Sequence, residues 1–148
     1  MSINMTQLDH VVLRVNDVAA SISFYTAVLG CTVENERPDL GLYQLRSGDF
    51  IIDLVDVDSV IGSAGGPGPG ADGHNLDHFC VRVAPWDEAA IRDHLANHGI
   101  EAGPVADNWG GDGRGPSIYI EDPGGNTVEL KGPPTSPFDP DVGYVPSS

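Results

Sequence analysis

Apolar and polar residues alternate strictly near the start of the chain. Val11, Leu13 and Val15 point one way, and His10, Val12 and Arg14 the other. This predicts a strand over residues 8–15 with an apolar back and a reactive front. Asp17 follows where an N-cap belongs. Val18, Ile22, Tyr25 and Leu29 then recur at helical spacing, so a helix with one buried stripe is expected, ended by Gly30. Further strands are expected over 32–36, 42–45 and 49–57, with Gly48 turning the chain into the last. The first part of the chain therefore reads βαβββ.

The pattern then returns. Leu8-Asp9-His10-Val11-Val12-Leu13-Arg14-Val15 reappears 68 residues later as Leu76-Asp77-His78-Phe79-Cys80-Val81-Arg82-Val83, identical at five positions. A strand over 76–83 is expected. Asp87 can cap a following helix, with Ile91 and Leu95 as its apolar stripe and Gly99 as its stop. A short strand is expected near 103–106. A hairpin over 117–121 and 126–131 turns at Asp122-Pro123-Gly124-Gly125. The expected organisation is a first βαβββ module over 1–61, a Gly/Pro-rich linker over 62–75, a second module over 76–132, and an irregular tail over 133–148 with five prolines. A second Gly-rich stretch, 109–116, reads either as a mobile surface loop or as a lid with Trp109 and Arg114 as its contacts.

Charge narrows the function. The net charge is −15, and the chain has one lysine, Lys131. Phosphate backbones and anionic membranes need clustered Lys and Arg, so neither is an expected partner. No apolar run reaches the roughly 20 residues of a membrane span, and the N-terminus lacks the basic and apolar regions of a secretory signal. A soluble cytoplasmic protein is expected. Cys31 and Cys80 are not in CxxC spacing and are expected as small core residues.

The repeat also duplicates chemistry. His10 and His78 occupy equivalent places on the first strand of each module, and Asp53 and Glu129 equivalent places on the last. Two converging carboxylates repel unless one is protonated or a cation lies between them. Two neutral imidazoles and two carboxylates neutralise a divalent ion, and this donor set suits Zn, Ni, Co, Mn or Fe(II). A single His at a strand start is more simply explained by a hydrogen bond to its neighbour; the symmetric duplication favours the metal. Arg14 can clamp a substrate carboxylate bidentately or pair with one of the many acids, and Arg82 shares its equivalent position. Tyr119 and Trp109 can line an apolar pocket. His94 and His98 stand four apart on the second helix, but without the acid of an HExxH motif. Nothing assigns a role to His74.

The runs LDHVVLRVNDVAASISFYTAVLG, LDHFCVRV and IYIEDPGGNTVEL resemble the vicinal oxygen chelate superfamily, over about residues 7–132. The superfamily includes glyoxalase I, fosfomycin-resistance proteins, extradiol dioxygenases and bleomycin-binding proteins. The resemblance implies an α+β fold in which paired βαβββ modules form a curled mixed sheet around a cleft. It implies metal ligands on the first and last strands, here His10, Asp53, His78 and Glu129, and a homodimer. Glyoxalase I is similar in His10, Arg14, His78 and Glu129. It differs at position 53, where it usually has Glu and this chain has the shorter Asp.

The expected function is that of a divalent-metal-dependent enzyme of glyoxalase type. Its substrate is small, with vicinal oxygens, and a proton moves between adjacent carbons through a metal-bound enediolate. Glu129 or Asp53 carries the proton; Arg14, Trp109, Arg114 and Tyr119 contact the substrate. The alternatives are an Fe(II) extradiol-type dioxygenase, using His10, His78 and Glu129, and a non-catalytic protein that binds a drug or other small molecule.

Overall fold

The computed structural model describes residues 1–137, Asp139 and Asp141. Most of the expected irregular tail lies outside the described residues. Its start includes a two-residue strand at Ser136–Pro137. The fold is mixed α+β, with two mixed sheets and two short α-helices among the described residues. The chain divides into two compact units: Met1–Leu76 with Asp122–Asn126, and Asp77–Glu121 with Thr127–Ser148.

The first unit contains β1 (His10–Val15), α1 (Val18–Ser23), β2 (Thr32–Arg37), β3 (Leu42–Ser47) and β4 (Phe50–Asp56). Its sheet has the order β1-β4-β3-β2, with β1 parallel to β4 and the other pairs antiparallel. The alternation in β1 holds: Leu13 and Val15 are fully buried, while His10 and Val12 are exposed. Leu13 pairs with Leu54, and Leu45 with Ile52, so the apolar back of the sheet is continuous. Each such side chain contributes about 1.5–3 kcal/mol by leaving water.

Asp17 caps α1, accepting from the backbone N–H of Ala20 at 2.9 Å. The expected stripe is only partly realised. After Ser23 the helix widens into a π turn over Phe24–Val28, in which Leu29 N–H reaches Phe24 O. The wider turn changes which side chains face inward. Ser21, Phe24 and Tyr25 are buried, whereas Val18, Ile22 and Leu29 are half-buried. Gly30 ends the segment at φ +72°, a conformation costly for other residues. After β4, Gly62–Gly65 form a 3₁₀ turn.

The second unit contains β5 (Phe79–Arg82), α2 (Glu88–Asn97), β6 (Ala106–Gly110), β7 (Gly113–Glu121), β8 (Thr127–Lys131) and β9 (Ser136–Pro137). The order is β5-β8-β7-β6, with β5 parallel to β8 and β9 added to β7. Asp87 caps α2 through Ala90 N–H at 3.0 Å, and Gly99 stops it at φ +70°. Leu95 is buried, as expected; Ile91 is half-buried.

Four expectations are corrected in this unit. The first strand is shorter than 76–83, and His78 stands just before it. The strand expected near 103–106 begins at Ala106. The stretch 109–116 is not irregular: Trp109 pairs with Arg114 and Gly110 with Gly113, so it is the end of a β-hairpin. Its glycines allow close strand approach. Ser136–Pro137 form a strand instead of irregular tail.

Candidate functional site

In the first unit, parallel register places His10 opposite Ile51 and Val12 opposite Asp53. Asp53 is therefore two residues beyond the position facing His10, on the same face. It is buried, and its Oδ1 accepts from Gln44 Nε2 at 3.0 Å. Gln44 Oε1 in turn accepts from Asn35 Nδ2 at 2.8 Å. His10 Nδ1 lies 2.6 Å from Asp9 Oδ1. That hydrogen bond raises the imidazole above its ordinary value; partial burial opposes the rise and the Asp53 charge adds to it.

The second unit repeats this offset. Cys80 pairs with Glu129, so Glu129 stands to His78 as Asp53 stands to His10. His78 Nδ1 lies 2.5 Å from Asp77 Oδ1, and its Nε2 lies 3.2 Å from Glu129 Oε2. Tyr119, paired with Glu129, sets its ring edge-on to His78 at 5.6 Å. Asn108 Nδ2 donates to Tyr119 Oη at 2.9 Å and to Glu129 Oε1 at 3.2 Å. Burial by itself would raise the Glu129 carboxyl. Hydrogen bonds from Ser117 and Asn108, with the charges of His78 and Lys131, outweigh it and hold the group below the ordinary range.

These contacts unite the two readings of each His. Each imidazole bonds the preceding Asp through Nδ1, and at His78 the Nε2 then faces Glu129. A carboxylate behind the ring, with the other nitrogen facing forward, is how ligating imidazoles are oriented. His78 faces a carboxylate on both sides. A neutral imidazole has one N–H, so it donates to one neighbour and leaves its other nitrogen as an acceptor.

By strand register the four residues expected as ligands fall in two His–carboxylate sets, one in each unit. Among the described residues, no group of three or more His, Cys, Asp or Glu side chains is placed to hold a metal.

The other candidates divide by sheet face. Tyr119 lies with Glu129, Ser117 and Lys131. Trp109 and Arg114 pair with each other and share the alternate face with buried Ile118 and Ile120, away from Glu129. Arg114 Nη1 donates to Asp107 O at 3.0 Å. Arg14 is engaged by the linker: Nε donates to Gly62 O, Nη1 to Gly65 O and Pro67 O, and Nη2 to Gly66 O, at 2.5–3.3 Å. Beside it lies a crevice of about 760 Å³, lined by Val12, Arg14, Pro67, Asp72, His74 and Asn75 among others. Arg82 Nη1 bonds Gly132 O, and its Nη2 pairs with Asp112 at 2.7 Å. His98 Nδ1 bonds His94 O at 2.9 Å. Cys31 is in the core, but Cys80 is exposed, on the Glu129 face.

Sequence reasoning passed over Asp9 and Asp77, although their duplication before each His was a usable signal. It also missed Asn35, Gln44, Asn108, Ser117 and Lys131, for which no local signal exists.

Comparison with known proteins decides the family. The model described as Glyoxalase/Bleomycin resistance protein/Dioxygenase superfamily matches residues 7–130. The chain belongs to that superfamily. It is 29% identical over 127 residues to Virulence protein STM3117 of Salmonella typhimurium, covering 84% of this chain and 82% of that one. Among solved structures, it is similar to lactoylglutathione lyase from Agrobacterium tumefaciens (TM-score 0.62, 20% identity, 86% of this chain and 94% of that one). It is also similar to TnmS3, an antibiotic binding protein from Streptomyces sp. CB03234 (TM-score 0.66, 20% identity, 89% and 99%). At such identities the two structures share the fold. Members of the superfamily bind small molecules and typically use divalent metals. Among the described residues, no helix is long and apolar enough to cross a membrane.

Proposed function

We propose that this chain is a divalent-metal-dependent enzyme of glyoxalase type, moving a proton between adjacent carbons of a small substrate with vicinal oxygens. The observation that carries this reading is the repeated pair: His10 with Asp53 and His78 with Glu129, at the same parallel-strand offset, each imidazole held from behind by the preceding Asp. The donors of each pair fit a divalent ion in type. When bound, such an ion polarises a carbonyl oxygen and stabilises negative charge there.

The chain's own groups do the rest. Glu129, held ionised by Asn108 and Ser117, accepts the proton at a carboxylate oxygen and returns it to the neighbouring carbon. Asp53, one methylene shorter and fixed by Gln44, is the corresponding acid of the first unit. Tyr119 walls the His78–Glu129 pair. With a net charge of −15 and Arg14 already holding four carbonyls, the chain favours a substrate without multiple negative charges. The working form in this reading is a cytoplasmic homodimer.

A second reading rests on His78 itself. With Asp77 2.5 Å from Nδ1 and Glu129 3.2 Å from Nε2, both ring nitrogens have neighbours in the protein without a metal. The site then belongs to an acidic small-molecule binder, in keeping with the likeness to an antibiotic binding protein.

Elemental analysis of protein purified without chelator separates the readings. Stoichiometric Ni, Co, Zn or Mn, lost in His10→Ala and in His78→Ala, is expected. Unchanged metal content in His78→Ala removes the site. Bound iron with turnover of catechols, and none of methylglyoxal hemithioacetal, replaces proton transfer by oxygenation. Absence of metal, with ligand binding intact in His10→Ala, leaves the binder.

A further inference from the structure

The only lysine in the chain is almost completely buried. Lys131 is 2% exposed, at the end of β8, on the same face as Glu129 two residues before it. Burying an ammonium is costly unless its donors are satisfied. Here all three have partners: Nζ lies 2.5 Å from Asn108 O, 3.1 Å from Gly115 O and 3.4 Å from Ser117 Oγ. None of these partners is a carboxylate.

Two of the three partners are the groups that hold Glu129. Asn108 accepts from Lys131 with its backbone oxygen and donates to Glu129 Oε1 with its side chain. Ser117 accepts from Lys131 at Oγ, which leaves its hydroxyl proton for Glu129. Asn108 also bonds Tyr119 Oη. The ammonium therefore anchors both donors that fix the carboxylate opposite His78. The first unit has no counterpart: Asp53 is held by an amide chain from Gln44 and Asn35.

We propose that Lys131 is a positioning residue, which clamps Asn108 and Ser117 from beneath and so sets the orientation of Glu129 toward His78. For metal binding, this rests on the reading of Glu129 as a ligand. The orientation itself does not.

The test uses Lys131→Met in the full chain, with two readouts. In metal-free protein at one fixed pH, imidazole ¹⁵N and ¹H resonances report the His78–Glu129 contact, with His10 in the other unit as internal control. The His78 signals are expected to move and those of His10 to stay. Unmoved His78 signals overturn the proposal. The second readout is Co(II) affinity, expected to fall at least tenfold, the usual effect of losing a group that orients a ligand. In a double-mutant cycle with Asn108→Ala, the two losses are expected not to add; additive losses overturn the relay. A wild type that binds no Co(II) removes the metal reading but leaves the resonance test to decide on Lys131. If Lys131→Met does not fold, Gly110→Ala serves instead. A Cβ there would come within 2.6 Å of Lys131 Cε and displace the flexible stem without deleting the charge. His78 signals unmoved in that variant also count against the proposal.

Discussion

Tyr25 Oη donates a 2.7 Å hydrogen bond to Asp122 Oδ2, joining residues 97 apart in sequence within the first unit. Asp122 is buried and closes its own loop: Oδ1 accepts from Gly124 N–H and Asn126 N–H, and Oδ2 from Asn126 Nδ2. Asn126 Oδ1 then accepts from Asn75 Nδ2, which also reaches Arg14 O. The Asp-Pro-Gly-Gly-Asn segment is thus a clasp on the π turn and the end of the linker. Burial, and then the Asp122 charge, push the Tyr25 phenol far above its ordinary value.

Tyr25→Phe is expected to cost about 1.5–3 kcal/mol, the usual worth of a hydrogen bond to a charged group. Urea unfolding monitored by circular dichroism measures it. A change below about 0.5 kcal/mol would show that water replaces the phenol at Asp122.

Asp17 and Asp87 cap their helices in the same way, each accepting from the N–H three residues on. Asp17→Ala and Asp87→Ala are each expected to lose about 1 kcal/mol. The caps sit in different units, so the double variant should lose about the sum. Thermal unfolding of the three variants checks this.

Cys80 is exposed, yet its thiol is pushed up to about 11, first by partial burial of the sulfur and then by the Glu129 charge. The folded state favours the protonated thiol. Alkylation by iodoacetamide at pH 8–9 is therefore expected to be slower in the folded protein than in urea, the rate rising as the pH approaches 11. Glu129→Gln removes the repelling charge and should speed the reaction at pH 9. Mass spectrometry separates Cys80 from Cys31.

Arg14 ties the linker to the front of β1, and Gly65 lies against the guanidinium: a Cβ at 65 would come within 2.6 Å of Arg14 Cζ. Gly65→Ala and Arg14→Gln are both expected to raise amide exchange across 62–75 severalfold, with β2 and β3 unchanged. Equal exchange in wild type and both variants would mean that the four carbonyl bonds do not hold the linker.

Much of the architecture follows from short-range rules. The strands of the first unit, the caps at Asp17 and Asp87 and the stops at Gly30 and Gly99 each depend on residues within about one turn of each other. The His–acid pairing was also legible, because a repeated strand pattern implies a repeated register. Register on the edge of the second sheet was not. The strand expected near 103–106 lies at Ala106–Gly110, and strand pairing, not composition, put Trp109 and Arg114 on the face away from Glu129. With a side-chain period of two, a shift of one residue exchanges the faces.

The sequence by itself determined the duplicated frame and which His and carboxylate residues take equivalent strand positions, since both are written in local periodicity and residue identity. Tertiary structure decided what each polar group faces. It gave the Arg14 guanidinium to the linker and sealed the single ammonium beneath Asn108. It placed one carboxylate behind each imidazole and, at His78, another in front. Such assignments turn on which distant carbonyl or carboxylate arrives within hydrogen-bond reach once water is excluded, and no window of sequence contains that partner.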